Sequence, residues 1–269
     1  MSKVQDTLQK RVQVGKNSSD FLGGIFNQTS SQLTAINKIT GSGTSSALKL
    51  KRITTHCSPK SVMNLANREG TSLTEDKKIS DEIKKYNGNV ILTSKKHQSG
   101  TDRIWEAFKK LKDKNLKYII NLQGDEPTIC PNDIMRLNKS VIKNKFEICT
   151  LASKIKNNKY LSNKNIVKVI TNKKISYINA SRAKSFNRNI KKKNNKTYQH
   201  IGIYHYSVSA LKKFCELKRT KNEIKNKLEQ LRALDNNIPI NVILAKKQVI
   251  GIDTKEDYME LKKILEYKA

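Results

Sequence analysis

Two adjacent carboxylates, Asp125 and Glu126, are the side chains with the most specific chemistry in this sequence. They stand in the segment Asn121-Leu-Gln-Gly-Asp-Glu-Pro127, directly after an apolar run at residues 118–120. Ligands of α/β proteins bind beyond the carboxyl ends of strands, and carboxylate oxygens there suit a hard cation together with a phosphate ester. The segment therefore predicts either a site of that kind or an ordinary acidic turn.

A second polar segment, His97-Gln-Ser-Gly-Thr-Asp-Arg103, lies between a predicted strand and a predicted helix. The hydroxyl of Ser99 and the backbone of Gly100 would stand at a helix N-terminus, which favours anionic or polar ligands. Arg103 offers a planar guanidinium that can pair with a carboxylate or a phosphate. A capped turn that binds nothing is the alternative interpretation of this segment.

Alternating residues along Gln199–Tyr206 predict a strand that carries His200, Tyr204 and Tyr206 on one face. His200 is a candidate for binding a substrate. A histidine in a strand is more often a hydrogen-bonded core residue, and taken alone this residue favours that interpretation.

Three later segments carry weaker signals. Arg182 follows a predicted hairpin, where it can hold an anion or simply be solvated. The segment Leu228–Leu234 is typical of an amphipathic helix. Asp253 places a second carboxylate after a predicted strand, where metal binding competes with capping of the last helix.

Helices and strands interleave from Thr74 onward. The spacing of apolar residues predicts helices at 75–86, 101–112, 131–142, 210–215 and 223–234. Strands are predicted at 90–93, 118–122, 147–152, 199–207 and 240–245, with an inserted hairpin of 166–171 and 175–179. This order predicts a three-layer α/β sandwich around a mixed, mostly parallel sheet.

Composition divides the chain near residue 73. Residues 1–73 form an atypical Ser/Thr-rich segment, typical of loop or disorder, and residues 74–269 form the α/β domain. Within the first segment, Leu48–Thr54 is the best candidate for a strand.

The net charge of +31 raises the question of a nucleic-acid partner. Lysines are spread over every predicted element and form no single stripe, so we expect no specific nucleic-acid binding. No apolar run reaches the length of about 18 residues that a membrane span needs. The absence of an apolar leader and the four widely separated cysteines predict a cytoplasmic protein with reduced thiols.

Taken in order, six segments resemble the family of 3-deoxy-manno-octulosonate cytidylyltransferase, also called CMP-KDO synthetase. They are HQSGTDR, NLQGDEP, SR, QHIGIYHY, LEQLR and GIDTKED, and the resemblance covers about residues 74–269. It implies a nucleotide-diphospho-sugar transferase-like fold and an enzyme that transfers CMP from CTP to the sugar acid KDO, releasing pyrophosphate. It also implies a homodimer that serves lipopolysaccharide biosynthesis in the cytoplasm.

The same resemblance implies roles for individual residues. Asp125 and Asp253 match the catalytic ligands of Mg²⁺, the implied cofactor. Ser99 and Gly100 match substrate-binding positions, with Ser99 near the cytosine and ribose of CTP. The positions that surround the sugar acid are matched by Arg103, Gln123, Arg182, His200, Tyr204, Glu229 and Gln230.

Residues 1–73 depart from the family pattern. The family begins with an apolar strand and a Pro-Ala-Arg loop that wraps the triphosphate, and neither is found in this segment. Three alternatives therefore stay open. They are an inactive or truncated relative without that loop, a cytidylyltransferase for another sugar acid and, most remotely, a basic nucleic-acid-binding protein.

Overall fold

A computed structural model describes residues 34–40, 70–85, 89–112, 116–123, 128–247, 249 and 259. The predictions for Asp125, Asp253 and Leu48–Thr54 lie outside these residues.

The described strands form one sheet of nine. Their bounds are β1 Thr34–Thr40, β2 Gly70–Thr74, β3 Val90–Leu92, β4 Leu116–Gln123, β5 Ile148–Lys154, β6 Lys168–Thr171, β7 Ser181–Asn187, β8 Thr197–Ser207 and β9 Ile240–Leu244. The strand order is β3-β2-β1-β4-β8-β5-β9-β7-β6, and β8 also pairs with β6.

The described helices lie between these strands or follow them. They are α1 Lys77–Lys85, α2 Gly100–Leu111, α3 Pro131–Asn144, α4 Lys159–Ser162, α5 Val208–Glu216, α6 Lys221–Asn226 and α7 Leu231–Asp235. Pro131 occupies the first turn of α3, where its missing N–H removes no helical hydrogen bond.

The sheet is mixed, as predicted. The pairings make six of the nine strands run in one direction, whereas β1, β7 and β8 run in the other. Because the three opposing strands intervene, only β2–β3 and β5–β9 are parallel neighbours. The prediction of a mostly parallel sheet is therefore correct for the direction of most strands, but most neighbouring strands are antiparallel.

Two apolar clusters cover the two faces of the sheet, which confirms the predicted three layers. Ile104 of α2 and Phe214 of α5 belong to the cluster on one face. Leu137 and Val141 of α3 belong to the cluster on the other. The central strand β5 is buried at every position before its last, as expected for a strand covered on both sides.

Three local predictions were wrong. The second hairpin strand is β7, at Ser181–Asn187, and residues 175–179 lie in the connection. The helix predicted at 223–234 is divided into α6 and α7, because Lys227 has a left-handed backbone with φ 51° that ends α6. Thr101 and Asp102 were expected from the sequence to cap α2, but the capping side chain belongs to Ser99, which accepts a hydrogen bond from the backbone N–H of Asp102.

Strand β1 shows that the Ser/Thr-rich segment contributes to the sheet. It lies between β2 and β4 and is antiparallel to both, with Thr34 opposite Leu73 and Gln123. Strand β2 crosses the predicted boundary at residue 73. The division of the chain into two parts at that residue stays a prediction.

The cysteines correct one expectation. Cys149 and Cys215 are free, whereas Cys130 is disulfide-bonded. The spacing of cysteines along a sequence does not determine whether one of them is paired. Within the described part of the chain, no helix is both long and apolar enough to cross a bilayer.

Candidate functional site

Strands β4 and β8 carry a line of polar and aromatic side chains on the sheet face covered by α2 and α5. We call Asn121, His200, Tyr204 and Tyr206 the polar row. Asn121 lies directly opposite Tyr204, and Ile119 lies opposite Tyr206. Since Ile119 and Tyr206 pack in the cluster of that face, alternation places Asn121 and Tyr204 there too. The rings of His200 and Tyr204 are 5.3 Å apart, and those of Tyr204 and Tyr206 are 5.7 Å apart.

His200 is held as a neutral side chain. Its Nε2 lies 3.0 Å from the hydroxyl of Thr150, and that hydroxyl donates to the backbone oxygen of Ile203 at 2.6 Å. We therefore assign the ring proton to Nε2, which donates to Thr150. Burial lowers the pKa of His200 to about 3. The residue can hydrogen-bond a ligand, but it offers no positive charge to a carboxylate.

Two atoms of the polar row have no hydrogen-bond partner in the described structure. They are the Asn121 Oδ1 and the Tyr204 hydroxyl. Asn121 is 2% exposed and Tyr204 is 6% exposed, so water does not satisfy them freely. Burial raises the pKa of Tyr204, and the charges of Tyr206 and Glu229 raise it further. The phenol therefore keeps its proton and remains a donor.

Glu229 lies next to the polar row, beside the N-terminus of α2. Its Oε1 accepts a hydrogen bond from the backbone N–H of Thr101 at 3.0 Å. The Thr101 hydroxyl lies 3.4 Å from the Tyr206 hydroxyl. Burial raises the pKa of Glu229, while the bond from Thr101 and the charge of Arg232 oppose that rise. The end of α2 therefore already faces a carboxylate, the charge that a helix N-terminus favours.

Three charged side chains, Asp102, Glu223 and Arg232, form what we call the ion network behind this site. Arg232 donates from Nη2 and Nε to the two carboxylate oxygens of Glu223, at 2.7 and 2.9 Å. It also donates to Asp102 at 3.4 Å and lies 4.6 Å from the ring centre of Phe214. The side chains of Arg232 and Glu223 are each 2% exposed. The network ties α2 to α6 and α7.

Arg103 is not directed into the polar row. Its guanidinium pairs with Glu75 and donates to the Thr93 hydroxyl at 2.6 Å and to the Ser94 oxygen at 3.4 Å. The neighbouring His97 pairs with Glu106. The positive charge of Arg103, which the sequence suggested for binding a ligand, is therefore paired with the carboxylate of Glu75.

The remaining predicted residues are scattered around this centre. Gln123 ends β4, and Gln230 directly precedes α7; both are half-buried. Arg182 is exposed on β7 opposite Asn241, and strand alternation puts that pair on the other face of the sheet. The structure therefore gathers Ser99, Gly100, His200, Tyr204 and Glu229, and leaves Arg103 and Arg182 apart.

Several contributors were missed from the sequence. Thr101 and Tyr206 line the site, and Asn121, Glu223 and Arg232 complete or support it. Two of them had usable signals. An amide such as Asn121 inside the otherwise apolar run at 118–122 is unusual for a buried strand, and alternation placed Tyr206 on the same face as His200 and Tyr204.

No group of three or more histidine, cysteine or acidic side chains in the described ranges is arranged to hold a metal ion. A surface hollow at α4 is lined by Leu161, Ile190 and neighbouring polar residues. It lies apart from the polar row and shares no residue with it.

Comparison with known proteins gives consistent matches. Residues 73–247 match the family described as cytidylyltransferase. The chain is 43% identical over 202 residues to 3-deoxy-manno-octulosonate cytidylyltransferase of Thermodesulfovibrio yellowstonii, covering 71% of this chain and 79% of the relative. It is 37% identical over 195 residues to the protein of that name from Bartonella bacilliformis, with the same coverage.

Solved structures agree. CMP:2-keto-3-deoxy-manno-octonic acid synthetase in complex with CTP superposes with a TM-score of 0.64 and 27% identity, over 73% of this chain and 80% of that one. An apo UDP-glucose pyrophosphorylase superposes with a TM-score of 0.51 and 14% identity, over 71% of this chain and 68% of the other, which is a likeness of fold alone.

Proposed function

The chain belongs to the cytidylyltransferase family, and we propose that it transfers CMP from CTP to the sugar acid KDO and releases pyrophosphate. The observation that carries the proposal is the match to KDO cytidylyltransferases, which reaches 43% identity over 79% of a relative's length. The superposition on a CTP-bound synthetase of the same kind supports CTP as the nucleotide.

The reaction exchanges a phosphoanhydride bond of CTP for a phosphate ester bond to the sugar acid. The anomeric hydroxyl oxygen of KDO attacks the α-phosphorus of CTP and forms the new oxygen–phosphorus bond. The bond from the α-phosphorus to the bridging oxygen of the β-phosphate breaks, and pyrophosphate leaves with that electron pair. The hydroxyl proton passes to solvent or to a basic group, so atoms and charge balance. The protein accelerates such a step mainly by holding the two substrates in line.

The polar row is the proposed place for the hydroxyl groups of the sugar acid. Glu229 stands there as a half-buried carboxyl group, and in its ionised form it repels the sugar's own carboxylate. His200 is neutral and offers that carboxylate no charge. Hydroxyl groups, which can both donate and accept, match the mixture of donors and acceptors on Tyr204, His200 and Glu229.

We propose Mg²⁺ as the cofactor, held by Asp125 and Asp253 as the family resemblance implies. Strand β4 ends at Gln123, and Asp125 comes two residues later in the sequence, after the carboxyl end of that strand. The chain four residues before Asp253 lies at the same sheet edge, because Val249 accepts a hydrogen bond from the Gln199 side chain at 3.3 Å. Carboxylates are hard oxygen donors that suit Mg²⁺. The bound ion would offset negative charge at the attacked phosphate.

Three further assignments are part of the same proposal and rest on the resemblance. The product would enter lipopolysaccharide biosynthesis, the enzyme would act in the cytoplasm, and the working form would be a homodimer. Size-exclusion chromatography with light scattering tests the last of these, since a monomeric mass would contradict it.

The proposal is tested by pyrophosphate release from the full-length chain, given CTP, KDO and Mg²⁺. We expect turnover, and we expect Asp125→Ala to lower it by about 10²-fold or more, because several kcal/mol of charge stabilisation are lost. Asp81→Ala is the matched control, since Asp81 is exposed on α1. No release from the wild-type chain, or equal loss in both variants, would contradict the proposal.

A second candidate is a relative that binds the sugar acid without turning it over. One observation favours it: the family match begins at residue 73, so it does not include the segment in which the family pattern places the triphosphate loop. Calorimetry separates the two candidates. Binding of KDO with no binding of CTP would select the inactive relative.

A further inference from the structure

Asn121 and Tyr204 lie opposite each other on the sheet, and each carries one unsatisfied polar atom. The two residues are direct cross-strand partners on β4 and β8. The Asn121 Oδ1 and the Tyr204 hydroxyl are both buried and lack a partner among the described residues. Leucine and phenylalanine would fill the same space without that cost. The retention of both polar groups points to a ligand that satisfies them.

Tyr206 shows that an unsatisfied hydroxyl is not a general property of the buried tyrosines on β8. Tyr206 is equally buried on the same strand, but its hydroxyl lies 3.4 Å from that of Thr101. None of the other unsatisfied atoms in the described structure, which include the Ser80 hydroxyl, lies on a residue that is paired across strands with another such residue. Tyr204 and Asn121 are the cross-strand pair, and their chemistry is complementary: an amide oxygen only accepts, and a protonated phenol donates.

We propose that Asn121 and Tyr204 together hold one hydroxyl group of the sugar acid, which donates to the Asn121 Oδ1 and accepts from the Tyr204 hydroxyl. This inference rests on the proposed function and adds Asn121 as a specificity-determining residue. A single hydroxyl group can make both bonds at once. A sugar acid that lacks this group would leave both protein atoms buried and unpaired, so the site would discriminate strongly against it.

The test uses Asn121→Leu and Tyr204→Phe in the full-length chain, with KDO binding measured by calorimetry. Each variant should weaken KDO binding by about 10- to 100-fold, since it leaves a substrate hydroxyl without its partner. The midpoint of urea unfolding without ligand should stay equal or rise, because an unsatisfied buried atom has been removed. A purely structural role would move stability in the opposite direction.

Ser80→Ala is the matched control. It also removes an unsatisfied buried hydroxyl, on α1 and outside the polar row. It should leave KDO binding unchanged, with stability equal or higher. The double variant Asn121→Leu/Tyr204→Phe should have an affinity for KDO only slightly below that of whichever single variant binds KDO less tightly, because both side chains act on one hydroxyl.

The outcomes separate this inference from the proposed function. Variants that bind KDO like the wild-type chain, or that lose stability and affinity together, would overturn the inference alone. A double variant whose loss equals the product of the single losses would assign the two side chains to different groups and overturn the shared hydroxyl. A wild-type chain that neither binds KDO nor releases pyrophosphate would refute the proposed function, and the inference with it.

Discussion

The ion network and the polar row are two buried polar regions that meet at the N-terminus of α2, and they differ in how fully they are satisfied. In the ion network, Arg232 and Glu223 satisfy each other through two hydrogen bonds at 2.7 and 2.9 Å. In the polar row, Asn121 Oδ1 and the Tyr204 hydroxyl have no partner in the described structure.

This difference indicates that the ion network stabilises the fold, whereas the polar row is suited to binding a ligand. A buried charge without a partner is too costly to keep, so a network of ions must be complete within the folded protein. Burying a neutral polar atom without a partner costs less free energy, and a hydrogen bond from a bound ligand can offset that cost. Substitutions in the ion network should therefore mainly change the free energy of unfolding. Substitutions in the polar row should mainly change the affinity for the substrate.

The largest effect on stability is expected from Arg232→Met. The substitution removes the buried partner of the Glu223 carboxylate and leaves it paired with the partly exposed Arg219, which should lower the free energy of unfolding by about 3–5 kcal/mol. Urea denaturation measures the change. Arg219→Met is the control, because Arg219 contacts the same carboxylate at 3.1 Å from a partly exposed position; it should cost at most about 1 kcal/mol.

The double variant Arg232→Met/Glu223→Leu sharpens this expectation. Removing both charges together should recover most of the lost stability, since no buried ion remains unpaired. A double variant as unstable as Arg232→Met would show that the arginine acts through packing on Phe214 rather than through its charge.

A smaller effect is expected from Ser99→Ala, at the border of the two regions. Loss of the cap on α2 should lower the free energy of unfolding by about 1 kcal/mol. Ser207→Ala removes the equivalent cap from α5 and should cost a similar amount. Because the resemblance places Ser99 near the nucleotide, only Ser99→Ala should raise the KM for CTP. Equal KM values in the two variants would contradict that placement.

The smallest effect on stability is expected from Glu229→Gln, and it depends on pH. Burial raises the pKa of Glu229 above its ordinary value of 4.5. Between that value and the raised pKa, the folded state binds more protons than the unfolded state, so wild-type stability falls as pH increases. Glu229→Gln should lack this fall, and a series of urea titrations across pH measures the difference.

Glu106→Gln gives the matched control of opposite sign. Burial of Glu106 is outweighed by bonds from Lys110, Ser94 and His97, which lower its pKa to about 2. Wild-type stability relative to this variant should therefore be lost as pH falls from 4.5 towards 2. The same pH slope in both variants would contradict the assignment of different environments.

Local signals predicted most of the elements. Apolar spacing located α1, α2, α3 and α5, a continuous apolar run located β4, and alternation located β8, because these patterns reflect which sides of an element are buried. The hairpin connection and the break in the helix at Lys227 were missed. A left-handed lysine has no distinctive sequence signal, since its backbone conformation is imposed by the packing around it.

The sequence by itself determined the family, the mixed α/β class and the segments that carry polar chemistry, because motif order and apolar period are local properties of the chain. Only the tertiary structure decided which of those polar groups are available to a ligand. Arg103 is engaged by Glu75, and Arg232 is engaged by Glu223. Asn121 and Tyr204 are paired across strands, and the Asn121 Oδ1 and the Tyr204 hydroxyl have no hydrogen-bond partner in the described structure. Partners such as these lie far apart in sequence, and whether a buried group is satisfied depends on which distant segments the fold brings within hydrogen-bonding distance.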